Sequence, residues 1–455
     1  MSLDLLTVAA YIGAMLWLGW LGMRRASDRE QYLVAGRNLG PLMYMGTMAA
    51  TVLGGASTVG TVRLGYVYGI SGFWLCAALG SGIVVLNLFL AKPLLRLRVF
   101  TVTQVLERRY HPLARKASAL VMLSYALMIC VTSVLAIGTV MQVLFELPFW
   151  LAVIIGGGVV VAYSTIGGMW SLTLTDIVQL VIKTVGLMLV LLPICLWRVG
   201  GWEQLAVRLP ASAFSFAGLG WGTVLTYFLI YFFGIIIGQD VWQRVFTARD
   251  GKVACFAGSA AGLYCLLYGL VCALIGMAAR VLLPELENPN NAFAAVVKGV
   301  LPDGVRGLVI AAALAAMMST ASAALLAAST TLTEDLLPGE RAGLWRNRAA
   351  TLLAGVLVLA LSMWVNDVIQ ALTLAYNLLV GSMLVPLLAA ICWPRATTTG
   401  AVSAMLGGLG TAVFFMLRDG LDANTPIYFS LLTSAGLMLV LSLADGRARP
   451  YPAQK

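Results

Sequence analysis

Apolar runs of about 20 residues, long enough to cross roughly 30 Å of hydrocarbon, recur from one end of this 455-residue chain to the other. Lipid tolerates only backbone whose polar groups are satisfied within the segment, so such runs fold as helices. The chain is 61% hydrophobic and 11% charged with a mean hydropathy of +0.94, whereas soluble domains carry roughly 25% charge. The expected fold class is an all-α polytopic membrane protein. Thirteen transmembrane helices are expected near 3–23, 41–69, 72–95, 117–146, 149–166, 171–197, 220–240, 252–283, 304–334, 345–365, 368–392, 398–417 and 425–444. No polar stretch between them is long enough to fold separately, so one transmembrane domain over 1–455 is expected. The first run lacks a basic leader and a small-residue cleavage site, and is expected to remain as a helix.

The net charge of +10 would suggest nucleic acid in a soluble protein. Here the basic residues sort by membrane side instead, and no nucleic-acid partner is expected. Of the Lys and Arg residues, 21 fall on alternate loops: Arg24, Arg25, Arg29 and Arg37; seven within 92–116; Arg244, Arg249 and Lys252; Arg341, Arg346 and Arg348; Arg395; then Arg447, Arg449 and Lys455. Seven fall on the opposite loops and helix ends, Arg63 among them, and Lys183 alone lies within a helix. The positive-inside rule makes the rich side cytoplasmic, which puts the N-terminus outside and the C-terminus inside the inner membrane. The 92–116 loop reads as an amphipathic surface helix whose His111 has no chemical role, and 283–304 as an outer loop with some helix of its own. The seven cysteines lie in apolar runs with no CxxC pair, and buried thiols are expected.

One stretch is unusually rich in hydroxyl groups for its apolarity: Ala311–Asp335, AAALAAMMSTASAALLAASTTLTED. Helical spacing puts Ala316, Ser319, Thr320 and Ala323 on one face with Ser322 on its flank. There the Ala316 carbonyl and the Ser319 and Thr320 hydroxyls form an oxygen set suited to a small hard cation such as Na+. The bland alternative is that these hydroxyls bond back to their own helix or join neighbouring helices. The second helix carries Gly54 and Gly55 at mid-depth, with Ser57, Thr58 and Gly60 close behind. Glycine there lets a helix unwind and present free carbonyls to a protein-lined cavity, although small residues also serve close helix crossings. A second break is expected near Phe232, Phe233 and Gly234. The two breaks open successive groups of five helices, 41–197 and 220–392, and paired breaks of this kind mark transporter sites at the midplane.

Four segments resemble the sodium/solute symporter family in the family's own order: Tyr32–Gly40 (YLVAGRNLG), Tyr163–Gln179 (YSTIGGMWSLTLTDIVQ), Gly238–Asp250 (GQDVWQRVFTARD) and Ser319–Leu336. The resemblance runs almost the full length. It implies a LeuT-type inverted repeat of five plus five helices, with one extra helix before (3–23) and two after (398–444). Its sodium site falls on the carbonyls of Ala50, Leu53 and Ala316 and the hydroxyls of Ser319 and Thr320. A second ion site of some members falls on Asp176, Ser319, Ser322 and Ala323, so it is one hydroxyl short here, and Asp176 is then expected to act as an ion relay. Asp176 would otherwise cap the helix end near Ser171 and Thr173. Val52 replaces the acidic residue of the sodium/proline carriers, and Ala56 and Ser57 replace the Glu-Gln pair of the sugar carriers. By position the solute site is expected to use Gly54, Ser57, Thr58, Thr132, Ser133, Tyr227, Tyr231 and Asn377.

Lys183 follows Asp176 by seven residues on the same helix face. An ammonium at that depth must find a partner. It pairs with an anionic substrate, or replaces sodium in an ion-independent or proton-coupled transporter of the same fold, or snorkels along the lipid surface. Arg63, near the outer mouth, would favour entry of anions. The expected function is a monomeric sodium-coupled symporter for a small organic solute, working by alternating access within the lipid bilayer, with Na+ as coupling ion and no organic cofactor. An enzyme would need clustered His, Cys or paired carboxylates at one depth. A sensor would need a long extension, and about ten residues follow the last helix.

Overall fold

The computed structural model describes residues 3–337, 343–365 and 367–445; Arg341, Arg447, Arg449 and Lys455 lie outside them. Ten helical runs among the described residues are long and apolar enough to cross a membrane, and an eleventh is the bent pair Trp221–Ile237 and Gln239–Val245. Two of the runs, Ala56–Leu97 with 42 residues and Phe149–Val199 with 51, are too long for one crossing. At 1.5 Å per residue the longer would measure about 77 Å. Each folds back at a glycine that only glycine tolerates: Gly69 at φ 67°, ψ −143° and Gly168 at φ 54°, ψ −139°. Divided at these elbows, the runs are compatible with the thirteen spans read from the sequence.

Two spans are interrupted. The Pro41–Val52 helix ends at Leu53, whose φ −85° and ψ 68° leave the helical region, and helix resumes after Gly54. The other break lies at Gly238, with extended backbone at φ −67°, ψ 133° and a 45° bend, rather than at Phe232–Gly234. Gly234 remains helical; it is small because the Tyr376 ring fills the space its side chain would occupy, 2.1 Å from a Cβ there. Gly238 has no room either, since a Cβ would lie 2.9 Å from Asp240 Oδ1 and Tyr125 Oη.

The Val305–Thr331 helix is the axis of the bundle. Every residue from Val309 to Thr331 is buried, as suits a helix apolar all round. It packs against the Pro112–Phe145, Phe149–Lys183 and Leu3–Arg25 helices. Its run of alanines lets those neighbours come close without voids.

Charges collect at the two ends of the bundle. On the Arg-rich face Arg29 pairs with Glu334, Arg115 with Glu107 at 2.7 Å and Asp335 at 3.0 Å, and the short Val102–Arg109 helix lies in the expected surface segment. His111 caps the next helix through the Leu113 N–H, a structural task. On the opposite face Arg63 pairs with Asp367 at 3.1 Å and Lys298 with Glu146 at 2.8 Å, with the Ala292–Val300 helix in the expected outer segment. The Lys298 ammonium holds the exposed Glu146 carboxyl below its ordinary range. Three expectations need correction. Arg244 is not a loop residue, since its side chain is fully buried. Cys392 is exposed and Cys255 half-buried, because both fall on the outward sides of their helices.

Substituting Gly168→Ala forces a side chain into left-handed backbone, 2.5 Å from the Tyr32 carbonyl. It is expected to lower the unfolding temperature in detergent. Gly158→Ala, on the same run with nothing within 4 Å of its Cβ, should unfold no lower than the parent, since Ala is the better helix former by about 1 kcal/mol. Equal losses in a fluorescence melt would remove the elbow argument.

Candidate functional site

The first break frees one carbonyl. In an unbroken helix the Gly54 N–H would bond to Ala50, but at Leu53 the chain turns and that N–H donates to Val52 instead, at 3.0 Å. The Ala50 oxygen is taken up across the helix interface by two hydroxyls, Ser319 Oγ at 2.9 Å and Thr320 Oγ1 at 3.2 Å. Ser319 also lies 2.9 Å from the Ala316 carbonyl. Four of the five expected ion ligands thus meet in one buried cluster of oxygens, with Leu53 at the break beside them. Back-bonding is also present, as in Ser322 Oγ to the Ser319 carbonyl at 3.0 Å. Gly54 is obligatory for the contact: a Cβ there would lie 2.5 Å from Thr320 Oγ1.

A small cavity of about 20 Å³, room for about one water, adjoins this cluster, and Thr320 and Gly54 belong to its wall. Gly55, Ser57, Thr132, Ser133, Leu372, Tyr376 and Asp240 continue it. Gly54, Ser57 and Ser133 are therefore brought together as expected, and Ser133 Oγ is buried with no hydrogen-bond partner. Five expected residues lie outside the wall, Asn377 among them with its Oδ1 buried and without a hydrogen-bond partner. Thr58 is turned to Tyr268, its hydroxyl 2.7 Å away. Tyr231 bonds Thr373 at 2.9 Å and packs edge-on to Tyr376, with the Tyr227 ring tilted against it. Lys183 is fully buried in protein, which excludes snorkelling to lipid, and its Nζ has no hydrogen-bond partner. The wall residues that were not anticipated include Asp240 and Tyr376. The signal for Asp240 was available, because an acidic residue inside an apolar run marks a polar site.

A charged cluster flanks the oxygen cluster on the Arg-rich side. Asp176 Oδ2 accepts from Thr47 Oγ1 at 2.5 Å and lies 3.8 Å from Arg244 Nη2, while Arg244 Nε donates to Thr47 at 3.1 Å. All three residues are buried. Asp176 does not cap a helix: Ser171 bonds the Gly19 carbonyl and Thr173 its own helix. On the other side of the central cavity a vestibule of about 330 Å³ is lined by Val59, Gly60, Asn288, Asn290, Asn291 and Ile369, among others.

A helical bundle in which two broken spans meet a buried third around an oxygen cluster has the layout of a LeuT-type secondary transporter. Solved structures bear this out. A Na+-coupled sialic acid symporter in a substrate-bound outward-open state matches with a TM-score of 0.84 at 17% identity, covering 99% of each chain. MhsT in complex with L-phenylalanine matches with a TM-score of 0.61 at 12% identity, covering 89% of this chain and 99% of that one. At such identities the likeness is one of fold.

The sequence goes further. The model of the sodium:solute symporter family matches residues 32–408, and the chain belongs to that family. The osmoregulated proline transporter OpuE of Bacillus subtilis (strain 168) is 25% identical over 472 residues, covering 96% of this chain and 95% of that protein. A sodium/proline symporter of Staphylococcus aureus (strain JH9) is 25% identical over 436 residues, covering 88% of this chain and 83% of that protein. The protein is a multi-pass membrane transporter, not an enzyme, and sodium is its coupling ion. Membership in this family favours sodium over an arrangement in which Lys183 takes the ion's place.

Removing one partner of a buried ion pair strands the other charge, at a cost of about 3–5 kcal/mol. Asp176→Asn and Arg244→Gln are each expected to lower the unfolding temperature markedly, and the double variant to lose less than the sum of the two. Strict additivity in a double-mutant cycle would show that the two groups do not sense each other.

Proposed function

We propose that this protein takes up a small organic solute across the inner membrane, driven by sodium that binds the carbonyls of Ala50, Leu53 and Ala316 and the hydroxyls of Ser319 and Thr320. The observation that carries the reading is the freed Ala50 carbonyl facing Ser319 and Thr320, beside a buried cavity lined by Gly54, Ser57 and Ser133. Sodium, itself a transported ion, gives those hydroxyls a cation to face and ties the broken helix to the Val305–Thr331 helix. The ordered break then presents Gly54, Ser57 and Ser133 to the solute. Asp176 serves as the relay through which the ion leaves; with Ala323 in place of a hydroxyl and Arg244 close by, no second sodium is held there.

The Arg-rich face is taken as cytoplasmic, with the N-terminus outside. Hydrogen bonds tie the broken half-helix to that face. Gln239 bonds the Phe100 carbonyl at 3.0 Å and the Val102 N–H at 2.9 Å, and Gln243 bonds the Leu33 carbonyl at 2.8 Å and Thr330 at 2.9 Å. The vestibule lies on the opposite side, which corresponds to a state accessible from outside. Alternating access then moves the repeats 41–197 and 220–392 against each other, in a single monomer, so that the vestibule closes as these bonds open. The names of the relatives make proline the first solute to try, although Val52 stands where the sodium/proline carriers have an acidic residue.

Thermal stability should rise with NaCl and saturate, with choline chloride holding ionic strength constant. Ser319→Ala and Thr320→Ala are each expected to weaken the half-saturating sodium concentration by about tenfold or more, the loss of one ligand bond, while melting without sodium changes little. Unchanged sodium affinity in both variants would overturn the site.

A further inference from the structure

Asp240 is the one charged side chain among the described residues that line the central cavity. It opens the Gln239–Val245 half-helix just after the break at Gly238, and is 3% exposed. Its Oδ1 accepts from the Tyr125 hydroxyl at 3.0 Å, and the first-turn N–H groups of Asp240 and Val241 face it. None of these is a cation. The chain's cation facing Asp240 is Arg244, one turn along. It bonds Thr47 and reaches to 3.8 Å of Asp176, and no ion pair within 4.0 Å joins it to Asp240. Arg244 is thus shared between Asp176 and Asp240, and a buried carboxylate that shares its one cation is only partly compensated, which favours entry of a further cation beside it.

Sodium is one such cation, but its oxygen set lies around Ala50 and Ser319. The surroundings of Asp240 are different. Tyr125 packs edge-on to Tyr376 at 5.3 Å, and Tyr376 itself lines the cavity. A carboxylate beside aromatic rings suits an organic ammonium, whose charge is attracted to ring faces and whose carbon skeleton gains from their contact. No Lys, Arg or His lines the wall to balance a purely anionic solute. Ser133 Oγ, buried and unpartnered across the same cavity, offers a second polar contact. We infer that Asp240 selects the transported solute by holding its protonated amine, and that the substrate class is small amino compounds.

The inference rests on the reading of this cavity as the solute site of a sodium symporter, and the test separates the two. Wild-type protein in saturating NaCl is titrated with matched pairs: L-alanine and L-lactate, L-valine and its α-hydroxy analogue, L-proline and its ring-oxygen analogue. Binding is read by calorimetry and thermal shift. At least one amine is expected to bind about 10- to 100-fold more tightly than its partner, the worth of a charge-assisted hydrogen bond. Asp240→Asn should abolish that preference while leaving the sodium dependence of melting in place. The wild-type comparison stands even if that variant fails to fold. Equal binding within pairs, preference for the amine-free members, or silence from every amine in protein that sodium stabilises would each overturn the role of Asp240. Absence of any sodium stabilisation would instead strike the symporter reading beneath it.

Discussion

The structure depends on a carbonyl that its own helix has given up. Within a membrane an unpaired backbone oxygen costs several kcal/mol, so the break at Leu53 can exist only where donors are already waiting. Ser319 and Thr320 provide them from a helix buried along its whole length. That requirement explains features that look unrelated in the sequence. Gly54 must be bare for Thr320 to approach, the neighbouring turns must be mostly alanine for the helices to touch, and the surrounding spans must shield the contact from lipid. The same contact is polar and adjustable, since a hydroxyl that donates to a carbonyl can also offer lone pairs to an ion.

Buried charge gathers beside this contact. Asp176, Thr47 and Arg244 form a compact group, and Asp240 faces Arg244 from the cavity wall. Arg244 therefore stands between two carboxylates, one beside the ion cluster and one beside the solute cavity. A change in charge at either place alters the field at the other through a low-dielectric interior. On the proposed reading, this is a physical means by which ion and solute sense each other without direct contact.

Much of this was legible in the sequence. Hydropathy located the spans, and the hydroxyl spacing on one helical face singled out Ser319 and Thr320, because helix geometry turns sequence separation into direction. The elements that were misread are those decided by packing between helices. The second break lies at Gly238 rather than near Gly234, since glycine can mark a kink or a close ring, and only the position of Tyr376 distinguishes them. Arg244 reads as a loop cation because it sits near a helix end, yet the half-helix that carries it points inward. Lys183 left three readings open, and burial removed one of them; Tyr227, Tyr231 and Thr58 were near the cavity in register but turned to other partners.

The elbow at Gly168 has a consequence at the far edge of the molecule. Its two arms grip the Leu3–Arg25 helix: Ser171 Oγ reaches the Gly19 carbonyl at 2.6 Å, and a Cβ on Gly22 would lie 2.4 Å from the Ser171 backbone. The first helix is thus splinted, backbone to backbone, to the span that carries Asp176. Its outer side presents Trp17 and Trp20, 58% and 40% exposed, to the surroundings. Any rocking of that span during transport is carried to these two indoles, so the cycle at the centre of the bundle is also felt by the annular lipid.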